Sequence, residues 1–424
     1  MTRRERGSIF IVTLAVLSLL VAVLAAVSAT QRAYSIETIQ RTEREMARFM
    51  AYAAIERAKQ ALSPRTQGIE PVTQGTTGLS DAWALVGNNG DEEFVIGNGR
   101  FRMQIIDMSS RIDINTATEA QLQTLPLTPE QVDSILDYRE ADRNPRPLGA
   151  KDEYYNALER PYNAKLAVFD TIDELLQVRG ITPQTLYEVN DGVSGNTLVP
   201  GINGNAPILY DVLGVNAYTA NTRTDGQTRV NVNAQGTNIQ TLTQPPVSLP
   251  ANIAAQIASR KNWTGIGEIA VLPGVQGQTL SSILDNLTTN AQPRVRGKIN
   301  LNTATESTLS SVPGLTPDVV QSILQRQAQG FATLGDYGTL PGVTGNVLQQ
   351  SVDFFSVSSQ SFLVRILGTY GSAIHAIEAV IEVREEIPTV ISVSTLPFND
   401  PTDRWYWQQE PTTETVLVDA GGNP

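Results

Sequence analysis

From Ile9 to Ala29 the chain is apolar and carries no charge, with Thr13, Ser18 and Ser28 as its only mild polar breaks. At 1.5 Å per residue this run makes roughly 30 Å of helix, the thickness of a bilayer's hydrocarbon core. From Gln31 to Ala61 there is no Gly or Pro, and Ala47, Met50, Ala54, Ala58 and Ala61 recur at helical spacing between charged residues. The pattern therefore predicts one helix from about Ser8 to about Leu62, apolar all round in its first half and amphipathic in its second. A loop-rich stretch follows to Gly90. Alternating apolar and polar positions on both sides of Gly97-Asn98-Gly99 then predict a β-hairpin over about Glu92 to Asp107. Near the other end, Phe362 to Val383 reads as two strands turning at Tyr370-Gly371-Ser372, and the segment after Ile387 adds a further strand.

Between these hairpins the pattern repeats. IDINTATEAQLQTL begins at Ile112, VNVNAQGTNIQTL at Val230 and INLNTATESTLSSV at Ile299, and each is followed by a second turn, VRGIT, LPGVQ or LPGVT. From the second Asn of the motif to the Gly of that turn is 41 residues in the second copy (Asn233 to Gly274) and 40 in the third (Asn302 to Gly342). The first copy takes 65 (Asn115 to Gly180), so it carries an extra segment around Gly149-Ala150-Lys151-Asp152-Glu153-Tyr154-Tyr155. Asn-Thr-Ala-Thr is a helix-capping sequence, and Pro-Gly turns at Gly314 and Gly342 reverse the chain into a second short helix. Such helix pairs bury little alone and are expected to stack. The units resemble helix-hairpin-helix, or SAM-like, modules, and the second is degenerate.

Composition narrows the chemistry. The 424 residues allow two or three domains. No cysteine is present, which excludes disulfides and thiolate-bound metals. The net charge of −12 disfavours nucleic acid and anionic membrane surfaces unless basic residues cluster locally. The one histidine, His375, falls in a predicted strand, and no Walker loop, zinc spacing or Ser-His-Asp order is present, so an enzyme is not expected. Acidic runs such as Asp91-Glu92-Glu93 and Glu385-Glu386 read as solvated faces.

Three arginines and one glutamate precede Gly7, and a basic leader marks the N-terminus as cytoplasmic. A plain single-pass anchor, or a cleaved signal ending at Ala29, would share part of this pattern. The leader, the apolar helix and its amphipathic continuation resemble the precursors of type IV pilins and type II secretion pseudopilins. That resemblance implies cleavage by prepilin peptidase between Gly7 and Ser8, with methylation of Ser8. Family members carry Glu at the fifth mature position, where this chain has Val12. A missing glutamate and a helical domain inserted in the sheet are together similar to the minor pseudopilin K family of type II secretion, in which a Gly-Ala-Glu-x-x-Tyr-like segment matches residues 149–155.

The resemblance implies an α+β fold: a long pilin helix and small antiparallel sheet, interrupted by an inserted all-α domain of helix-hairpin-helix-like repeats. The expected parts are a leader over 1–7, the helix over 8–62, the first part of the sheet over 63–109, an insert over 110–357 with repeats at 110–190, 229–291 and 297–357, and C-terminal strands and tail over 358–424. It further implies a subunit at the tip of a periplasmic pseudopilus. Its partners would be other minor pseudopilins or pilins, prepilin peptidase and the inner-membrane assembly platform, and it would be anchored in the inner membrane. Gly180, Gly274, Gly314 and Gly342 are the expected hairpin turns. No cofactor is expected, although related pseudopilins hold calcium in surface loops, which makes Asp152, Glu153, Asp400 and Asp403 the oxygen ligands to examine. The alternative is a pilus subunit whose helix-hairpin-helix modules bind DNA. It needs cations beside the hairpins, yet 297–357 holds only Lys298 and Arg326 against four acids, and 111–189 has 8 basic residues against 14 acidic.

Overall fold

The computed structural model describes residues 3–63, 75–188, 208–396 and 401–418, with side chains from Phe10 onward. Helix α1 runs unbroken over Arg3–Leu62. Its side chains from Phe10 to Thr42 are exposed, and those expected to face a core are buried: Ala47, Met50, Ala54, Ala58 and Ala61 are each at most 4% exposed. Strands β1 (Glu92–Ile96) and β2 (Gly99–Asp107) form the first hairpin.

The chain then enters three helical units, each closed by a two-residue parallel strand pair. In the first, β3 (Ile112–Asp113) pairs with β4 (Leu213–Gly214). After β5 (Tyr218–Ala220) comes the second, in which β6 (Val230–Asn231) pairs with β7 (Leu287–Thr288). Then β8 (Arg294–Arg296) pairs antiparallel with β5, so the linkers on either side of the second unit are bonded to each other. In the third unit, β9 (Ile299–Asn300) pairs with β10 (Phe355–Ser356). The insert is thus helical with four small strand pairs. The first unit reaches Gly214, beyond the expected 190, because its closing strand lies far past its second hairpin. Leu209, Tyr210, Val212 and Leu213 belong to the same core as Ile112, Leu122, Ile135 and Phe169.

β11 (Ser361–Tyr370), β12 (Ala373–Arg384) and β13 (Ile387–Thr395) complete the main sheet, and β14 (Thr413–Val418) joins its far edge. The order is β13-β12-β11-β2-β1-β14. It is antiparallel except for β14, which runs parallel to β1. Residues 401–412 explain the exception: they cross the back of the sheet before β14 enters. Trp405 and Trp407, 4.7 Å apart, are buried there against Leu367, Ala376 and Leu396. They pack over the face of the sheet, not at the edge where a tail would ordinarily lie, while Tyr406 between them stays 65% exposed.

Alternation in the strands sorts the two faces. Phe101, Met103, Ile105, Phe362, Val364, Ile366, Ile377, Ala379 and Ile381 face α1 and share its core. Gly368 continues that face, and a side chain there would collide with the Ala47 carbonyl and the Ala51 amide, so its lack of a Cβ sets how closely helix and sheet approach. Glu43 closes the contact by accepting hydrogen bonds from Ser372 N (3.3 Å) and Oγ (2.9 Å) at the β11–β12 turn. The opposite face receives the insert and the tail.

Candidate assembly site and inserted units

Two features stand out as candidate sites: the exposed part of α1 and the helical insert held against the sheet. The first is simple. About 33 residues of α1, from Phe10 to Thr42, project beyond the sheet, roughly 50 Å at 1.5 Å per residue. This helix is long and apolar enough to cross a membrane, as judged by length and composition. Val12 lies on it and is 58% exposed. Gly7 and Ser8 fall within the helical backbone, in a stretch whose side chains lie outside the described residues.

The three units share one internal scaffold. In each, an Asx side chain accepts a hydrogen bond from the amide two residues on: Asp113 from Asn115 (2.8 Å), Asn231 from Asn233 (2.9 Å) and Asn300 from Asn302 (3.0 Å). That second Asn then clasps the backbone of a distant aromatic residue through both ends of its amide. Asn115 holds Phe169, Asn233 holds Trp263 and Asn302 holds Phe331, at 2.6–3.0 Å. A third repeated position ties the same loop: Arg139, Lys261 and Gln327 donate to its carbonyls, at Ala117, Thr237 and Ala304 among others. The Asn of the repeat is therefore a clasp and not the helix cap. The cap is Thr118 or Thr305, whose hydroxyl accepts from the amide three residues on, and Asn238 in the second unit. The repeat of Asn was legible in the sequence. Its aromatic partner was not, because the spacing is about 30 residues in two copies and 54 in the first.

Gly180, Gly274, Gly314 and Gly342 all sit in their hairpins with φ between +78° and +89°, the left-handed region that disfavours a Cβ. The first hairpin of unit one is a residue shorter, running Leu125-Pro126-Leu127 without a glycine. In the extra segment of the first unit, Lys151 is buried with its ammonium on the carbonyls of Asp137 and Glu140 at the end of helix Pro129–Arg139. Burial lowers its pKa, and Asp137 and Glu140 oppose that. Gly149 lies so close to the Asp137 carboxylate that a side chain would displace it.

The insert is fixed to the back of the sheet by buried charge. Arg365 on β11 pairs with Asp211 of the first unit (2.7 Å) and with Glu378 on β12 (3.3 Å). Tyr210 donates its hydroxyl to Glu378, and Arg111 donates to the Tyr210 carbonyl (3.2 Å). Burial opposes the charge on Arg365, but Glu378 and Asp211 outweigh it and raise the pKa. Burial, then Glu378, pushes the Tyr210 phenol well above its usual value. A second pair, Arg294 with Glu382 (3.0 Å), joins β8 to β12. At the end of β2 the buried Asp107 accepts from Ser109 N (2.7 Å), Asn300 Nδ2 (2.8 Å) and Thr303 Oγ1 (2.6 Å), anchoring the third unit.

The calcium candidates are dispersed. Asp152 accepts from Ala164 N (2.9 Å), Asp403 accepts from Gln409, and Asp400 lies outside the described residues. Glu153 borders the same cleft as Asp152. Among the described residues no three His, Asp or Glu side chains gather as a metal site would require. His375 lies on β12 beside α1, where burial and then Arg48 lower its pKa and Glu45 raises it.

A long N-terminal helix laid on a sheet whose hairpins bracket an insert defines a pilin-like α+β protein with helical modules. Residues 115–194 match the family model of the type II secretion system (T2SS), protein K, and residues 295–356 match that of the helix-hairpin-helix motif. The expected resemblance to the pseudopilin K family is supported by this match, which falls on the first unit. Among solved structures it is similar to a chain of the GspK-GspI-GspJ complex from the enterotoxigenic Escherichia coli Type 2 Secretion System. The identity is 14%, the match covers 85% of this chain and 100% of that one, and the TM-score is 0.47. No curated protein matches it in sequence.

Proposed function

We propose that this protein is a minor pseudopilin that caps the tip of a type II secretion pseudopilus and initiates its assembly with other minor pseudopilins. The observation that carries this reading is a protein K domain placed within a pilin-like helix and sheet. The apolar helix anchors the precursor in the inner membrane with its leader in the cytoplasm, where prepilin peptidase cuts between Gly7 and Ser8. It later packs among neighbouring helices with the help of the inner-membrane platform. A carboxylate at position 12 would pair with a neighbour's N-terminal amine within the apolar core, and such a buried pair holds only when both partners are present. With Val12 the subunit has no such pair to offer to a helix ahead of it, which suits the first subunit. Mass spectrometry of membrane-extracted protein, with and without the peptidase, tests the processing. A chain starting at Ser8 only when the peptidase is present supports the proposal, and a start at Thr30 defeats it. Position is tested by Val12→Glu, which should let the subunit appear along the shaft.

The helix-hairpin-helix match keeps a DNA-binding reading in view. Within 295–356 the cations are Arg296, paired with Asp113 (2.8 Å), Arg326, beside Asp336 (3.8 Å), and Lys298, turned inward. Phosphate recognition needs free cations at the hairpins, so duplex DNA should bind no more tightly than to any acidic protein of similar charge.

A further inference from the structure

A partly open polar pocket of about 330 Å³ lies among the three units and their linkers. Thr116 from the first unit, Ile266 and Thr288 from the second and Val352 from the third line it, together with Arg229 and Lys298 from the linkers. Like Lys151 and Arg139, which rest on backbone carbonyls, these two cations differ from the inward-turned ones that are ion-paired. Arg102, Arg111, Arg294, Arg296 and Arg365 each have a carboxylate within 4.0 Å. Among the described residues, Arg229 and Lys298 have none. Arg229 donates Nε to the Thr222 carbonyl (3.1 Å), and Lys298 donates to the Asp353 carbonyl.

The nearby acids are turned elsewhere. Asp353 accepts from the amides of Ile266 (2.8 Å) and Gly267 (2.9 Å), and Asp285 from the amide of Gly335 (2.8 Å). Burial lowers the pKa of both cations; Asp353 raises that of Lys298 in part and Asp285 that of Arg229, while Arg229 lowers that of Lys298 further. Two like charges held half-buried in one pocket, with their nearest carboxylates beyond 4.0 Å and engaged by backbone amides, are only partly compensated. A multivalent anion between them would relieve both and would bridge all three units.

We infer that the cavity joining the three units binds a small oxyanion of the phosphate or sulfate class through Arg229 and Lys298. The site needs the third unit, whose Val352 and Asp353 form one wall, which gives that unit a part in holding the insert together. The inference stands apart from the secretion reading, since it concerns only the insert's own chemistry.

Thermal unfolding of the full chain in detergent, at matched ionic strength, tests it with sodium phosphate, sulfate or acetate. About 10 mM phosphate or sulfate should raise the midpoint by roughly 3 °C over acetate. Lys298→Gln and Arg229→Gln should remove that gain, and Arg48→Gln, an exposed control on α1, should keep it. If Arg229→Gln does not fold, Arg229→Lys keeps the charge and should keep part of the gain. Equal midpoints in phosphate and acetate, or an undiminished gain in Lys298→Gln, would overturn the inference.

Discussion

The two faces of the main sheet are built from alternate residues of the same strands, yet they hold their partners by different physics. The face under α1 is apolar: Phe101, Met103, Val364, Ile366, Ala379 and Gly368 meet a strip of alanines and Met50. The back face interleaves Leu363, Leu367 and Val380 with Arg102, Arg365, Glu378 and Glu382, and each of these charges finds a partner. Apolar contact is non-directional and suits a helix that can settle along its own axis. A buried ion pair is exacting in geometry, so it fixes how a separate helical insert sits on the sheet, although it adds little net stability over an apolar isostere.

That contrast can be broken most sharply on the back face. Glu378→Ala leaves Arg365 buried with one partner fewer and removes the acceptor of Tyr210, so it should destabilise by about 3–5 kcal/mol in denaturant unfolding. Replacing Arg365, Glu378 and Asp211 together by Met or Leu should recover much of that loss, because no charge is left stranded. On the front face Gly368→Val should cost about 1–3 kcal/mol or more by forcing α1 off the sheet, with a fall in thermal midpoint and a rise in hydrogen exchange over residues 47–51. Asn302→Ala removes the clasp on Phe331 and should cost about 1–3 kcal/mol, seen as faster exchange confined to the third unit. The smallest effect expected is in pH dependence. Burial raises the Asp107 pKa above its ordinary value, so its contribution is fully present below the unfolded pKa near 4 and is lost as pH rises through the folded value. Asp107→Asn should flatten the difference in stability with pH without changing its sign elsewhere.

Much was legible beforehand because it is local. The course of α1, the turn at Gly97-Asn98-Gly99 and the reversal at Gly371 all follow from periodicity and turn residues within a few positions. The period shared by the second and third units was equally plain. What escaped was non-local: the parallel entry of β14 beside β1, the extension of the first unit to Gly214 and the aromatic partner of each Asn. No short-range signal encodes a pairing across 29 to 54 residues whose length differs between copies.

The sequence by itself determined which segments could be helix or strand, where the long helix would end, and that a repeated capped hairpin would need stacking. Only the tertiary structure decided which face of each strand carries charge to which partner, because a buried Arg gains its counter-ion from residues more than 150 positions away, as Arg365 does from Asp211. It also decided that Arg229 and Lys298, from separate linkers, line one shared pocket. Periodicity registers the solvent preference of one element, whereas the balance of charge in a cavity depends on which elements meet there.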